Sequence, residues 1–259
     1  MKTAFPLTAS GIGIVVEQPD AFFFQKENIE KLLHDYQFIA CKKVDWSLEQ
    51  IHSFMQEFGE LVRNEKRQDN TMLTLNGNAV NEVLRGHGRF PLHRDGLLMN
   101  NAVKYVLIYC LGFDVTKGGK TFISDNEKAW TEVPEEIKKA LRKNGFEIKP
   151  YDNNYYLKNE DRWYAFPGVA SFENKEFLNG GLSHWKDEPK SYEVRIKNID
   201  ENLSAQYYTT LENIIMQDKY MYYHQWDKGD FLMFDNRRVL HGRQAFEGER
   251  NLIQLQVKE

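Results

Sequence analysis

The sequence predicts a mostly β protein with flanking helices (α+β), built as a double-sheet barrel buttressed by those helices. Three observations carry this. Short strand-like runs outnumber helical ones along the chain. They do not alternate regularly with helices, as a parallel doubly wound sheet would require. Aromatic residues reach 14%, which suits many strands around a lined cavity. There is no internal repeat, low-complexity tract or Pro/Gly/Ser linker, so one domain over residues 1–259 is expected.

In chain order, ENIEKLLHD (Glu27 to Asp35) has helical spacing and runs into the strand QFIACKKV. Ser47 and Gln50 then form a capping box, in which the serine accepts from a backbone donor and the glutamine reaches back. The helix they start, LEQIHSFMQEF, stops at Gly59. TMLTLN, the strand around FPLHRDG, KYVLIYCLG and GKTFIS follow as strands. Pro134 suits a first helical turn, and Asn144-Gly145 closes that helix. RWYAF is a strand, and Gly180-Gly181 reads as turn material. ENLSAQYYTTLENIIMQ is a helix with Leu203, Tyr207, Leu211, Ile214 and Ile215 on one face. YMYYHQW, DFLMFDN and NLIQLQV complete the strands.

Composition narrows the function. The net charge of −4 argues against a nucleic acid partner, since backbone binding needs clustered positive charge. The basic run KKALRK reads as one solvated helix face. No apolar run approaches the ~20 residues of a membrane span. The N-terminal stretch lacks the apolar core and cleavage site of a signal peptide. Cys41 and Cys110 both sit in apolar strand-like runs, as reduced core residues do, so a cytoplasmic setting is expected.

The chemistry concentrates in FPLHRDGLLM. Along a strand His93 and Asp95 would share a face, with Leu92 and Arg94 on the other. Such a pair can bind a divalent metal, support acid–base chemistry or satisfy itself. Three features favour metal. Gly118-Gly119 is a tight turn that places Thr121 at the start of a strand, 26 residues after Asp95. His241 stands at a strand end in KGDFLMFDNRRVLHGRQAF. Arg250 opens the last strand nine residues later, with Gln254 on its face. Two histidines and one carboxylate make a facial triad that leaves three positions open on an octahedral iron. A guanidinium fork beside a hydroxyl suits a dicarboxylate.

HRD at His93–Asp95, GGKT ending at Thr121 and DNRRVLHGRQAF through Arg250 resemble the TauD/TfdA-type Fe(II)/2-oxoglutarate dioxygenases. The helix, strand and capped helix closing on FGEL (Phe58 to Leu61) resemble them too, so the likeness runs along nearly the whole chain. It implies a double-stranded β-helix (jelly-roll) core, with iron on His93, Asp95 and His241 and no catalytic residue beyond these ligands. It implies that 2-oxoglutarate chelates the iron while Thr121 and Arg250 hold its far carboxylate, and that O2 is the other co-substrate. Within the family, PLHRDG followed by LL, and LHGRQAF, resemble the enzymes that process amino-acid-derived isonitriles in paerucumarin-type pathways. That implies oxidation of a small-molecule substrate of the tyrosine isonitrile kind, typically by desaturation. Gln254 stands where taurine-type members carry an arginine for a sulfonate, which puts a sulfonate substrate in doubt.

Other anchors follow. Arg85, Arg89 and Arg94 flank the metal strand and either hold substrate or are solvated loop charges. His87 either touches substrate or lies on the surface, and Arg243 pairs with a carboxylate near the site or within the fold. His184 and His224 read as structural or surface groups. Hydroxylation of a free amino acid or other small carboxylate is the alternative reaction. A metal-binding jelly roll without catalysis is the alternative class. Oligomeric state is not set by the sequence.

Overall fold

The computed structural model describes residues 6–63, 71–75, 86–99, 101–151, 162–182 and 192–259. In chain order the strands are β1 (Ile14–Glu17), β2 (Phe38–Lys42), β3 (Leu73–Leu75), β4 (Phe90–His93), β5 (Val103–Gly118), β6 (Thr121–Asp125), β7 (Phe146–Pro150), β8 (Tyr164–Phe166), β9 (Val169–Phe172), β10 (Lys175–Leu178), β11 (Tyr192–Ile196), β12 (Met221–His224), β13 (Phe231–Asp235), β14 (Val239–Arg243) and β15 (Phe246–Lys258). The helices are α1 (Lys26–Tyr36), α2 (Leu48–Gln56), α3 (Asn126–Glu132), α4 (Glu135–Asn144) and α5 (Glu201–Ile215).

A six-stranded sheet, ordered β1-β2-β13-β5-β15-β3, faces a four-stranded sheet, ordered β12-β6-β14-β4. Residues of both sheets meet in one buried cluster, including Phe38, Val106, Ile108, Leu232 and Leu252 from the larger and Ile123 and Val239 from the smaller. The outer face of the larger sheet packs on α1 and α2 through Leu107, Met233, Ile253 and Leu255. The outer face of the smaller sheet packs on α3, α4 and α5 and on a three-stranded sheet, β11-β7-β8. Strand β13 is therefore buried on both faces, which is why FLMF reads as a continuous apolar run without alternation.

The capping box at Ser47 forms, with Gln50 N 3.2 Å from Ser47 Oγ and Ser47 N 2.8 Å from Gln50 Oε1. Three expectations are corrected. Pro134 is the N-cap of α4 rather than its first-turn residue, with ψ at 139° before the helix begins. On α5 Leu211 and Ile215 are buried and Tyr207 and Ile214 pack against the same core as expected, but Ser204 and Tyr208 join them there and Leu203 is 37% exposed. Ser204 turns inward because its Oγ accepts from Ile196 N at 2.8 Å, which ties the helix to β11. Finally, β4 ends at His93, so Asp95 lies in the loop beyond the strand and not on its face.

Helix α3, strands β1, β7, β11 and β14 and the hairpin β9–β10 are not legible as elements, and His241, expected at the end of the DFLMFDN strand, instead lies within β14. The hairpin turns through Glu173 and Asn174, both at positive φ (50° and 62°). Asp125 caps α3, its carboxylate accepting from Lys128 N at 3.0 Å. Cys41 and Cys110 are free and buried, and burial pushes the Cys110 thiol up to about 12. Among the described residues, no helix is long and apolar enough to cross a membrane.

Candidate metal centre

Strand register assembles the site on the inner face of the four-stranded sheet. β14 pairs with β4 so that His241 stands opposite His93, and with β6 so that Arg243 stands opposite Thr121. Period-two alternation then aims Val239, His241 and Arg243 inward together. β4 is an edge strand, which tolerates Pro91, a residue with no N–H to give a neighbour. The Pro91 carbonyl instead accepts from His93 Nδ1 at 2.8 Å. That bond places the proton on Nδ1 and leaves the Nε2 lone pair for a ligand. The outer edge of β4 is covered by Gly180 to Leu182, with Arg94 N 2.9 Å from Gly180 O and Leu182 N 2.7 Å from Leu92 O. Gly181 is needed for close approach, since a Cβ there would meet His93 Cβ at 2.8 Å.

Asp95 reaches the same point from its loop. The buried Asn236 side chain holds its backbone on both sides. Asn236 Oδ1 accepts from Asp95 N at 2.9 Å, and Asn236 Nδ2 donates to Asp95 O at 3.2 Å and to Val103 O at 2.9 Å. Asp95 Oδ1 lies 3.3 Å from His93 Nε2, and Oδ2 lies 3.6 Å from His241 Nε2. One ligand atom from each of the three residues lies within 4.8 Å of the others. The donor set is ready to bind. Burial, with His93 alongside, pushes the His241 imidazole down to about 3, so it is neutral at neutral pH. Burial alone would push the Asp95 carboxyl up, but the His241 and His93 imidazoles and the Gln256 amide hold it down at about 2. A neutral His241, a His93 whose Nδ1 proton is held by Pro91 O, and an ionised Asp95 are a donor set that suits a non-heme Fe(II) site.

Thr121, Arg250 and Gln254 line the same cavity as the three, together with Arg243, Leu75, Phe90 and Ile108. Arg250 is buried, and its NH2 donates to Thr121 Oγ1 at 3.0 Å. Its Nε has no hydrogen-bond partner among the described residues. Burial, reinforced by the nearby Arg243, pushes the Arg250 guanidinium well below its usual range. A buried guanidinium in that condition is relieved by an anion, and a carboxylate fits its fork.

Arg89 and Arg94 are engaged elsewhere, whereas Arg243 lines the cavity. Arg89 NH2 donates to Glu212 Oε1 on α5 at 3.0 Å. Arg94 donates to Asn236 O at 3.0 Å and to Asn179 Oδ1 at 2.7 Å. Neither lines the triad cavity. Arg243 NH2 donates to Gly88 O at 2.6 Å. His87 stacks on Phe246 with ring centroids 4.5 Å apart. His224 is fully buried between Tyr222 and Asp230. Arg85 and His184 lie outside the described residues.

Three contributors escaped the sequence reading. Asn236 acts across 141 residues, with no local signal. Trp226 Nε1 donates to Thr121 Oγ1 at 3.0 Å. Gln256 Nε2 donates to Asp95 Oδ2 at 2.7 Å, beside Gln254 Nε2 at 2.9 Å. The two glutamines did leave a mark, as polar residues two apart in the otherwise apolar LIQLQV.

Comparison with known proteins places these features in context. A family model described as "Taurine catabolism dioxygenase TauD, TfdA family" matches residues 3–256. The chain is 24% identical over 209 residues to a 3-((Z)-2-isocyanoethenyl)-1H-indole synthase of Fischerella ambigua, covering 76% of this chain and 72% of that one. It is 26% identical over 168 residues to a tyrosine isonitrile desaturase of Erwinia amylovora, covering 60% of this chain and 54% of that one. The structure of PvcB, an Fe, alpha-ketoglutarate dependent oxygenase from an isonitrile synthetic pathway, superposes with a TM-score of 0.68 at 18% identity, over 95% of this chain and 86% of that one. AAD-2 in complex with Mn(II) and N-oxalylglycine superposes with a TM-score of 0.72 at 17% identity, over 99% and 98%. At these identities the structural likeness establishes the jelly-roll fold.

Proposed function

Because the chain belongs to the TauD/TfdA family and is an Fe(II)/2-oxoglutarate-dependent dioxygenase, we propose that it oxidises an unactivated C–H of a small amino-acid-derived isonitrile. Desaturation is the proposed outcome, with release of succinate and CO2. The observation that carries the site assignment is the shared cavity: three ligand side chains and the Arg250–Thr121 pair line one space.

His93, Asp95 and His241 are proposed to hold the iron. When bound, that iron supplies O2 activation coupled to decarboxylation of 2-oxoglutarate. The chain's own residues do the positioning. Pro91 O keeps the His93 proton away from the metal side. Thr121 Oγ1 accepts from both Trp226 and Arg250, so both lone pairs are taken and its proton is directed to a third group. A carboxylate of 2-oxoglutarate beside Arg250 is the proposed acceptor. The substrate class rests on the two relatives named for isonitrile chemistry and on the neutral Gln254 in the cavity. An amide does not neutralise a strong anion, which speaks against a sulfonate at that position. The reading fits a single catalytic domain over the chain and a small-molecule substrate.

The test offers tyrosine- and tryptophan-derived isonitriles, and the parent amino acids, to the Fe(II)-loaded protein with 2-oxoglutarate under air. Succinate formed with an isonitrile, and a product lighter by two hydrogens, supports desaturation. Succinate formed only with free amino acids, and a product heavier by one oxygen, replaces this reading with amino-acid hydroxylation.

A further inference from the structure

Asp95 is tethered through both its backbone and its side chain, and its two carboxylate oxygens are treated differently. Oδ2 receives amide N–H donors from Gln254 at 2.9 Å and from Gln256 at 2.7 Å. Among the described residues Oδ1 has no amide donor; it lies 3.3 Å from His93 Nε2, while Oδ2 lies 3.6 Å from His241 Nε2. An ionised carboxylate only accepts, so both glutamines must turn their nitrogens toward it, and the orientation of each amide is settled by chemistry. Both side chains are more than nine-tenths buried, Gln254 at 6% exposure and Gln256 at 7%. They come from alternate positions of β15, the strand that also carries Arg250.

We propose that Gln254 and Gln256 form a neutral double-amide cradle that reserves Oδ2 of Asp95 and so commits the carboxylate to binding the metal through Oδ1 alone. The consequence is a count of open positions. A carboxylate that binds through both oxygens occupies two coordination positions; one oxygen leaves the three that a two-point co-substrate and O2 together need. Neutrality matters as much as the donors. A lysine or arginine at either place would form an ion pair with Asp95 and compete with the metal for its charge. Two amides fix the geometry and leave the charge in place. Gln254 and Gln256 are thus positioning residues, acting on the metal through Asp95. The inference rests on the proposed metal role of His93, Asp95 and His241.

The test uses the full-length protein stripped of metal, with Mn(II) and Co(II) as probes. Mn(II) binding is followed by the electron paramagnetic resonance of the free ion, and Co(II) coordination by its visible absorption. The parent should bind one equivalent of each. The double variant Gln254→Leu/Gln256→Leu, with unchanged circular dichroism, should bind Mn(II) about 10–100-fold more weakly, the usual effect of removing partners of a metal ligand. Its Co(II) absorption should change in intensity as the carboxylate adds its second oxygen. If the double variant does not fold, Gln256→Leu alone should show a loss of the same sign, roughly 3–10-fold. A folded variant with parental Mn(II) affinity and an unchanged Co(II) spectrum would overturn the cradle while leaving the metal site intact. A parent that binds no Mn(II) would overturn the metal site itself and the cradle with it.

Discussion

Arg250 and Thr121, 129 residues apart, meet at 3.0 Å between guanidinium NH2 and hydroxyl Oγ1, inside the cavity that the metal triad also lines. The contact joins the two sheets, because Arg250 lies on β15 and Thr121 opens β6. It also leaves Arg250 Nε without a hydrogen-bond partner among the described residues. A buried cation with a spare donor is costly to the empty protein and favourable once an anion arrives.

Replacing Arg250 by alanine is expected to raise the 2-oxoglutarate requirement steeply. Hydrogen bonds to charged groups contribute roughly 1.5–3 kcal/mol each. Losing a two-point contact implies about a hundredfold or more, at about 1.4 kcal/mol per decade. Steady-state KM for 2-oxoglutarate, with kcat extrapolated to saturation, checks this. An unchanged KM would move the clamp to another residue.

Trp226→Phe should produce a smaller effect of the same kind. The ring still packs against His224, whose centroid lies 4.3 Å away, but the donor to Thr121 is gone. A neutral hydrogen bond contributes about 0.5–1.5 kcal/mol net, so 2-oxoglutarate affinity should fall roughly 2–10-fold. Calorimetric titration of the metal-loaded variant reads it, and metal affinity should be unchanged.

Asn236→Ala should loosen the Asp95 loop. Three hydrogen bonds vanish, two of them to the Asp95 backbone. Buried backbone groups left unpaired cost about 1–3 kcal/mol. A lower thermal midpoint without metal, together with weaker Mn(II) binding, is the expected pair of results. A lower midpoint with parental Mn(II) affinity would confine Asn236 to a packing role.

Gly181→Ala should disturb His93 specifically. The added methyl would meet His93 Cβ and Tyr192 Oη, each at 2.8 Å. Overpacking of this kind costs about 1–3 kcal/mol. Weaker Mn(II) binding in a folded protein is expected, measured beside Gly112→Ala, where the space around an added methyl is open.

Much of this fold could be read from local pattern. The capped helix α2, the strand β13 and the Thr121 turn each carry a signal within a few residues, whereas His241, expected at the end of the β13 run, lies inside the separate strand β14. His93 and Asp95 were read as neighbours on one strand face. The structure brings them together differently, ending β4 at His93 and holding Asp95 through Asn236. No local pattern announces that contact, because the asparagine comes from the loop after β13. On α5 hydrophobicity alone favours Leu203, which lies off the core, whereas the Ser204 hydrogen bond to β11 turns the helix so that Ser204 and Tyr208 face it beside Leu211 and Ile215. The β9–β10 hairpin is short and partly charged, so its strands resemble loop until their pairing is seen. Gly180-Gly181 looked like a turn, yet its second glycine serves close approach to His93.

The central claim is that the triad and the Arg250–Thr121 pair form one site for one metal and one dicarboxylate. Calorimetric titration of 2-oxoglutarate into the metal-free protein, and into the same protein with one equivalent of Mn(II), tests it most directly. The account predicts strong 2-oxoglutarate binding only when Mn(II) is present, with the enhancement absent in His241→Ala. Equal binding with and without Mn(II) in the parent would contradict it, because the co-substrate would then be held away from the metal.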